Sequence, residues 1–375
     1  MSPKAIQGRK VLFVTTGTGS PGQLYATEHF AVQSAREGIQ VGLLGPHSRQ
    51  LYAGLRAFHP YDAFVLKRPF GAVTRIRAFL RSMREFEPDL VHIRNHVGAH
   101  VLPVLGKLIG HKSKFVLDIR SLSPSRWKHL LFKCLKPLTS LVFDHFFALN
   151  RTILRKYTCG GKTGTLLPLG YDPNVFRPES ARRPFTKTAR GLRCIYYGTL
   201  NKSRQLEVVL RAFLELLDDG QDLTVNLVGE GDDKKRLRNL VPKEYSSSIQ
   251  FHPGHDAKSL ARFVRRQDLG IAYVPVTRIF DPNLPLKTVE MLASGIPVLA
   301  TATSGNRIVV REGENGFLAD DTCSSIEAAL RRAINDNDVM SRSPASIAHT
   351  VGSYTWGRIA RSHLFPVYER LLEAN

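Results

Sequence analysis

Residues 281–301 have types and spacing that suit nucleotide chemistry. They read DPNLPLKTVEMLASGIPVLAT. Pro285 suits the first turn of a helix, Gly295 suits its end, and Pro297–Thr301 is a candidate strand. Glu290 then lies within the helix, where its carboxylate can accept hydrogen bonds from a ribose diol while N–H groups of the first turn hold a diphosphate. The alternative is that Glu290 is an ordinary solvated helix residue.

A glycine-rich segment near the start of the chain is a second candidate for phosphate binding. Gly17, Gly19 and Gly22 follow a candidate strand and precede a candidate helix, where backbone N–H groups can hold a phosphate. A dinucleotide site would also need an acidic residue about 20 positions later. Residues 40–45 read QVGLLG, which argues against a nicotinamide cofactor. The alternative is a tight turn without a ligand.

The charge is distributed unevenly along the chain. Of 53 Lys and Arg and 32 Asp and Glu, residues 1–200 hold 31 and 10, so the first part carries the whole net charge of +21. This excess predicts an anionic partner, whether nucleic acid, a phosphorylated substrate or an acidic membrane surface. Four cysteines without paired spacing, no secretory signal and no long apolar run predict a reduced, intracellular protein without a spanning helix.

Short apolar runs alternate with amphipathic segments over most of the 375 residues, which is typical of βαβ units in parallel sheets. A stretch without apolar periodicity, from Arg177 to Gly191, reads as a linker. The predicted fold is therefore α/β, with two doubly wound Rossmann-like domains facing each other across a cleft. Their predicted ranges are 1–176 and 177–356.

Several motifs resemble one enzyme family. They are PLKTVEMLASGIPVLAT at 285–301, Val228–Gly231, Gly305–Asn306, Gly313–Leu318, LPLGYDPNVFRP at 167–178 and Tyr354–Trp356. Together they resemble GT-B glycosyltransferases, and more closely the retaining glycosyltransferase family 4. The resemblance implies a first domain for the acceptor, a second for the nucleotide-sugar donor, and a final helix at about 357–375 that packs back on the first.

The family pattern, matched position by position, implies the donor site. Glu290 matches the acid that holds the donor ribose, while the family's other acid falls at Pro282, beside Asp281. Thr199 stands where the family has an arginine, and Arg204 stands where it has a lysine, with Lys202 as a second candidate for binding the diphosphate. The other implied donor-binding residues are Gly17, Gly19, Gly198, Gly229, Leu286 and Lys287.

The first domain provides the candidates for the acceptor or sugar pocket. Arg120 ends a strand where many relatives carry a histidine, and Arg94 and His96 follow the neighbouring strand. Asp281 is a fourth candidate. For each of the first-domain residues the alternative is a surface polar side chain at a strand end, and for Lys202 and Arg204 it is a solvated basic residue.

No metal site and no cofactor are expected, because Asp336-Asn-Asp338 closes a helix and no Asp-x-Asp ends a strand. The predicted function is a retaining glycosyltransferase that acts on a UDP or GDP sugar and a saccharide or lipid-linked acceptor, in cell-surface polysaccharide or glycolipid synthesis. A sugar-nucleotide epimerase or a catalytically silent relative is the alternative. A nucleic-acid-binding protein is a remote one, since no such module is present.

Peripheral membrane contact is also predicted, at the inner face of the plasma membrane. Ser125–Leu138 combines basic residues with Trp127 and several leucines, and a nearby helix carries Arg75, Arg77, Arg81 and Arg84. Such a surface suits acidic lipid. The alternative is a helix packed by its apolar stripe with its lysines in water.

Overall fold

A computed structural model describes residues 6–15, 21–45, 56–57, 71–96, 98–120, 135–158, 164–179, 185, 191–336 and 338–373. Side-chain surroundings are described for all of these except 21–24, 56–57 and 72. The chain forms two compact units. Unit 1 comprises Met1–Leu169 and Trp356–Asn375, and unit 2 comprises Gly170–Thr355.

Unit 1 contains one parallel sheet with the strand order β3-β2-β1-β4-β5-β6-β7. Its middle strands are buried along most of their length, as expected where helices cover a parallel sheet. The strands are β1 (Lys10–Val14), β2 (Gln40–Leu44), β3 (Arg56–Ala57), β4 (Leu90–Arg94), β5 (Lys114–Ile119), β6 (His145–Ala148) and β7 (Gly164–Leu166).

Helices connect most of these strands. They are α1 (Pro21–Arg36), α2 (Gly71–Phe86), α3 (Val101–Leu108), α4 (135–142) and α5 (Arg151–Tyr157). The buried residues Phe79 and Met83 of α2 pack with Phe115 of β5 in the core of this unit. The period of apolar residues along α2 therefore places one face on the sheet and leaves its arginines outward.

Unit 2 has a six-stranded parallel sheet with the order β10-β9-β8-β11-β12-β13. The strands are β8 (Leu192–Tyr197), β9 (Leu223–Val228), β10 (Ile249–His252), β11 (Leu269–Ala272), β12 (Val298–Thr301) and β13 (Gly316–Ala319). Its helices are α6 (Glu207–Asp218), α7 (Lys234–Asn239), α8 (Ala257–Arg265), α9 (Leu286–Ala293), α10 (Cys323–Asn335) and α11 (Pro344–His349).

Apolar clusters line both faces of the second sheet. On one face Phe213 of α6 and Leu330 of α10 pack against Tyr196. On the other face Met291 of α9 packs with Val264 of α8. Because the strands are buried on both faces, their sequences are nearly continuous apolar runs, which is why they could be recognised from the sequence.

The C-terminal segment belongs to unit 1. It consists of α12 (Trp356–Ile359), a π-helical turn (Ala360–Leu364) and α13 (Phe365–Glu373). The Tyr368 hydroxyl lies 2.7 Å from His92 Nδ1, and Arg370 donates to His145 Nδ1 at 3.2 Å. Two histidines of the sheet thus hold α13 by polar contacts that sequence periodicity does not reveal.

The observed elements differ from the predicted ones in particular places. The first unit ends at Leu169 rather than at 176, because Tyr171 and Phe176 pack in a core cluster of unit 2. Strand β13 and helix α11 were missed, since each has at most six residues and shows little periodicity. The predicted single closing helix is interrupted by the π-helical turn.

Candidate functional site

The candidate donor site lies at the carboxyl ends of the unit 2 strands. In an open α/β sheet this edge is where ligands bind, because loops and helix N-termini meet there. The site is built from the end of β8, the loop after it, and the first turns of α9. Leu286 is the first residue of α9, preceded by Pro285 in extended conformation.

Glu290 is buried in α9, so it is not a solvated helix residue. Its side chain is 6% exposed, and its Oε2 accepts a hydrogen bond of 2.8 Å from the Tyr197 hydroxyl. Burial raises the pKa of Glu290 to about 7, although the bond from Tyr197 acts in the opposite direction. The site therefore holds a carboxyl group that titrates near neutrality, with Tyr197 fixing its position.

Lys287 lies one turn before Glu290 and points to the end of β8. Its Nζ donates to the Tyr273 carbonyl at 2.8 Å and lies 3.8 Å from the centre of the Tyr196 ring. Burial, with a smaller contribution from Arg204, lowers the pKa of Lys287 well below its usual value. No carboxylate of the described residues forms an ion pair with this amine.

Arg204 provides a second cation in the same place. Its Nε donates to Thr199 Oγ1 at 3.3 Å, and its guanidinium lies 4.4 Å from the centre of the Phe280 ring. Like Lys287, it has no ion-pair partner among the described residues. Two neighbouring cations held by neutral groups suit an anionic ligand, because each keeps unused hydrogen-bond donors.

Lys202 is not brought into this group. It begins a 3₁₀ turn (Lys202–Arg204), its side chain is exposed, and its backbone N–H donates to Asp232 at 3.1 Å. The turn ends at Gln205 in the left-handed conformation, with φ of 50°. The backbone therefore directs Arg204, and not Lys202, towards Thr199.

Two glycines allow the loops after β8 and β9 to approach each other. Gly198 and Gly229 have φ values of 139° and 146°, which favour glycine. A Cβ on Gly229 would overlap the carbonyl oxygen of Gly198. Gly229 therefore has a steric role, whereas Gly198 is required by its backbone conformation. Gly17 and Gly19 lie outside the described residues.

Asp281 is used within the loop that precedes α9. Its carboxylate accepts hydrogen bonds from the Ser304 N–H at 3.0 Å and from the Ser304 hydroxyl at 2.8 Å, and its carbonyl accepts from Gly305. Asn306 beside them is fully buried and accepts a bond from Thr288. These contacts fix the loop, and they leave Asp281 committed to it.

The other candidates lie at the carboxyl edge of the unit 1 sheet. Arg94 stands opposite Asp118 in the strand register, and Arg120 Nε lies 2.7 Å from the Asp118 carboxylate. Burial alone would raise the pKa of Asp118, but Arg120 and His92 lower it to about 2. His96 bonds the Arg94 carbonyl through Nδ1, and burial lowers the pKa of His96 to about 4.

Sequence reasoning missed Tyr197, Tyr196, Asp118 and His92. Tyr197 was readable as the last residue of an apolar strand before Gly198, but its bond to Glu290 spans 93 positions. Asp118 lies two positions before Arg120, but its place opposite Arg94 depends on the pairing of β4 with β5. Contacts of this kind depend on strand order, which the spacing of motifs does not give.

The parallel sheet with flanking helices in each of the two units defines the fold class as GT-B. Residues 179–347, a little under half of the chain, match the family model described as "Glycosyl transferases group 1". This match confirms the resemblance to glycosyltransferases that the motifs indicate, whereas the closer resemblance to the retaining family 4 stays a prediction.

Curated and solved proteins agree with this class. The chain is 29% identical over 225 residues to a D-inositol 3-phosphate glycosyltransferase of Corynebacterium jeikeium, covering 55% of this chain and 51% of that protein. It spans about half the length of the curated relatives it matches.

Solved structures extend the likeness to the whole chain. A glycosyltransferase from Rickettsia africae has a TM-score of 0.78 at 14% identity, covering 98% of this chain and 100% of that one. Anabaena HepE in complex with UDP has a TM-score of 0.71 at 17% identity, covering 97% and 100%. At these identities the likeness shows the fold.

Proposed function

We propose that the protein is a retaining glycosyltransferase that moves a sugar from a nucleoside diphosphate to an acceptor hydroxyl. The observation that carries this proposal is the group formed by Glu290, Lys287 and Arg204 at one sheet edge. One buried carboxyl suits the ribose hydroxyls, and two cations that have no carboxylate partner among the described residues suit a diphosphate.

Different residues would bind the ribose and the diphosphate of the donor. Ribose hydroxyls donate to Glu290, whose carboxylate accepts several hydrogen bonds when ionised. The diphosphate takes N–H donors from Lys287 and Arg204, and the first turn of α9 adds its partial positive charge. Lys202 remains a candidate for the outer phosphate, since its side chain is exposed in the same turn.

The proposed reaction exchanges two bonds at the anomeric carbon. The bond to the diphosphate oxygen breaks while the acceptor oxygen bonds to the same face, which retains the configuration. The departing phosphate oxygen takes the acceptor proton, so no protein nucleophile and no metal are required. Lys287 and Arg204 stabilise the negative charge that develops on the leaving group.

The matched proteins support the choice of substrates. HepE has been solved with UDP, with UDP and glucose, and with UDP-glucose. A uridine diphosphate sugar is therefore the first donor to test, with guanosine diphosphate sugars next. The acceptor is proposed to be a saccharide or lipid-linked saccharide, in cell-surface polysaccharide or glycolipid synthesis.

Thermal stabilisation by a panel of UDP, GDP and their sugars tests the donor assignment. A ligand that binds only the folded protein raises its stability with the logarithm of saturation, by about 2.7 kcal/mol at one hundred times Kd. We expect one nucleotide to stabilise the unchanged protein and the same nucleotide not to stabilise the Glu290→Gln protein. Glu244→Gln is the matched control, because Glu244 is exposed.

The same measurement with oligonucleotides added, together with analysis of the products, separates the alternative functions. Stabilisation by oligonucleotides but by no nucleotide at millimolar concentration would overturn the proposal. Conversion of the bound sugar nucleotide to an epimer without an acceptor would identify an epimerase. Nucleotide binding without turnover in the presence of a saccharide panel would indicate a silent relative.

A further inference from the structure

Charged side chains converge at the carboxyl edge of the unit 1 sheet, far along the sequence from the donor residues. Arg94 ends β4, Asp118 stands opposite it in β5, and Arg120 follows β5. β4 lies beside β1, where the strand order reverses direction. Ligands of open α/β sheets bind at such a point, beyond the carboxyl ends of the strands.

The arginines at this edge have more hydrogen-bond donors than the described residues provide acceptors for. Arg120 uses Nε for Asp118 and Nη1 for the Leu167 carbonyl at 2.7 Å, while its Nη2 is buried and has no hydrogen-bond partner among the described residues. Arg120 as a whole is 8% exposed. A buried donor left without an acceptor costs about 1–3 kcal/mol, more when charged.

Arg94 is the second arginine at this edge, and its side chain is without a partner among the described residues. Its side chain is partly buried and forms no hydrogen bond or ion pair with the described residues. Burial lowers the pKa of Arg94 to about 10, with Asp118 raising it and Arg120 lowering it further. Most described arginines that do form ion pairs have exposed side chains, so the desolvated and unpaired Arg94 differs from them.

Asp118 supplies only one negative charge for the two arginines. Its Oδ2 is engaged by Arg120 Nε at 2.7 Å and by His92 Nε2 at 3.4 Å, while its Oδ1 is buried and has no hydrogen-bond partner among the described residues. His92 is in turn held by Tyr368 of α13 at 2.7 Å. This buried chain fixes the guanidinium of Arg120 and leaves one positive charge uncompensated.

We propose that Arg94 and Arg120 form an oxyanion site in unit 1, which takes a phosphate or carboxylate group of a ligand. The oxyanion completes the hydrogen bonding of Arg120 Nη2 and pairs with Arg94. Asp118 acts as a positioning residue for Arg120. The oxyanion site is independent of the proposed function. Only the further step, that its ligand is the sugar acceptor, rests on that function.

Calorimetric titration with inorganic phosphate at constant ionic strength tests the site. We expect Arg94→Gln to weaken phosphate binding at least tenfold. Arg84→Gln, at an exposed arginine of the same unit, is the matched control and leaves binding unchanged. The same comparison is made in an Arg204→Gln background, where the proposed donor site contributes less to phosphate binding, and the tenfold loss on Arg94→Gln is expected there too.

Thermal unfolding without added anion provides a second readout. Because Arg94 has no partner among the described residues, Arg94→Gln is expected to keep or raise the unfolding midpoint while losing the phosphate response. A midpoint several degrees lower would show that Arg94 stabilises the protein itself and would contradict the proposal. So would phosphate binding by Arg94→Gln equal to that of the unchanged protein.

Glucuronate in place of phosphate distinguishes the two sources of the oxyanion. A response to either ligand that Arg94→Gln abolishes supports the site, and the stronger ligand identifies the group. A lack of response to both overturns it. If nucleotides fail to bind while the Arg94-dependent response persists, the proposed function is wrong and the oxyanion site stands.

Discussion

Glu290 shows most clearly how a single residue acquires its properties from the fold. The sequence places it in a helix, but only the structure shows that it is buried against Tyr197. Removal of a carboxylate from water favours its protonated form. The group that binds ribose in the proposed reaction is therefore also a destabilising group in the free protein, as is common at functional sites.

Burial of Glu290 predicts a pH-dependent stability difference. Its pKa rises from 4.5 to about 7 on folding, so its ionisation destabilises the folded protein progressively from pH 4.5 to 7. The shift corresponds to at most about 3 kcal/mol. Urea unfolding at pH 5 and pH 8 should show that Glu290→Gln gains stability relative to the unchanged protein as pH rises.

Glu244→Gln is the control for this comparison, since Glu244 is exposed and its change should leave the difference between the two pH values unaltered. An equal gap between the Glu290→Gln and unchanged proteins at both pH values would show that the carboxyl is not desolvated. Titration of other groups is common to all three proteins and cancels.

Among the secondary-structure elements, the loops at the carboxyl ends of the unit 2 strands position the candidate site. The loops after β8 and β9 meet where Gly229 packs on the Gly198 carbonyl, and that contact leaves no room for a side chain. A larger residue at position 229 would push the loop after β9 away from the loop after β8, which leads from Tyr197 to Arg204. Glycine at position 229 thus meets a steric requirement of the fold.

Gly229→Ala is expected to destabilise the protein by about 3 kcal/mol or more, because it combines overlap with backbone and an unfavourable φ. Gly220→Ala is the matched control, with φ of 73° and nothing within 4 Å of the added Cβ, and should cost about 1 kcal/mol. Urea unfolding measures both. Equal losses would contradict the steric account.

Sheet strands were predictable because they are nearly continuous apolar runs, as the sequences of β8 and β9 show. The position of Glu290 in α9 was predictable from Pro285 and Gly295. The bond from Tyr197 to Glu290 and the chain from Tyr368 to Arg120 were not. They join residues distant in sequence, and only strand order brings them together.

Charge and apolar exposure are properties of the whole molecule. The excess of basic residues in the first part of the chain attracts anionic surfaces, and a membrane with acidic lipids is one such surface. In unit 1 Leu108 of α3 and Leu141 of α4 are each 76% exposed. His100 and Lys136 line one small cavity, so the two helices are neighbours. Among the described residues, no helix is long and apolar enough to span a bilayer.

These features predict binding to vesicles that contain anionic lipid, with apolar side chains adding to electrostatic attraction. Sedimentation with such vesicles should retain the unchanged protein and release it in high salt. Leu108→Ser and Leu141→Ser together should weaken binding several-fold. Leu240→Ser, in unit 2, is the control. Equal binding to neutral vesicles, or no binding to either kind of vesicle, would contradict the prediction.

Of the predicted membrane segment, residues 125–134 lie outside the described part of the chain.

Donor turnover by Glu290 variants tests the central claim most directly. With the sugar nucleotide that stabilises the protein, release of nucleoside diphosphate should fall at least 100-fold in kcat/KM for Glu290→Gln, a loss of about 2.7 kcal/mol in transition-state stabilisation. Glu244→Gln should turn over normally. Near-normal turnover by a folded Glu290→Gln protein would contradict the assignment of Glu290 to the donor.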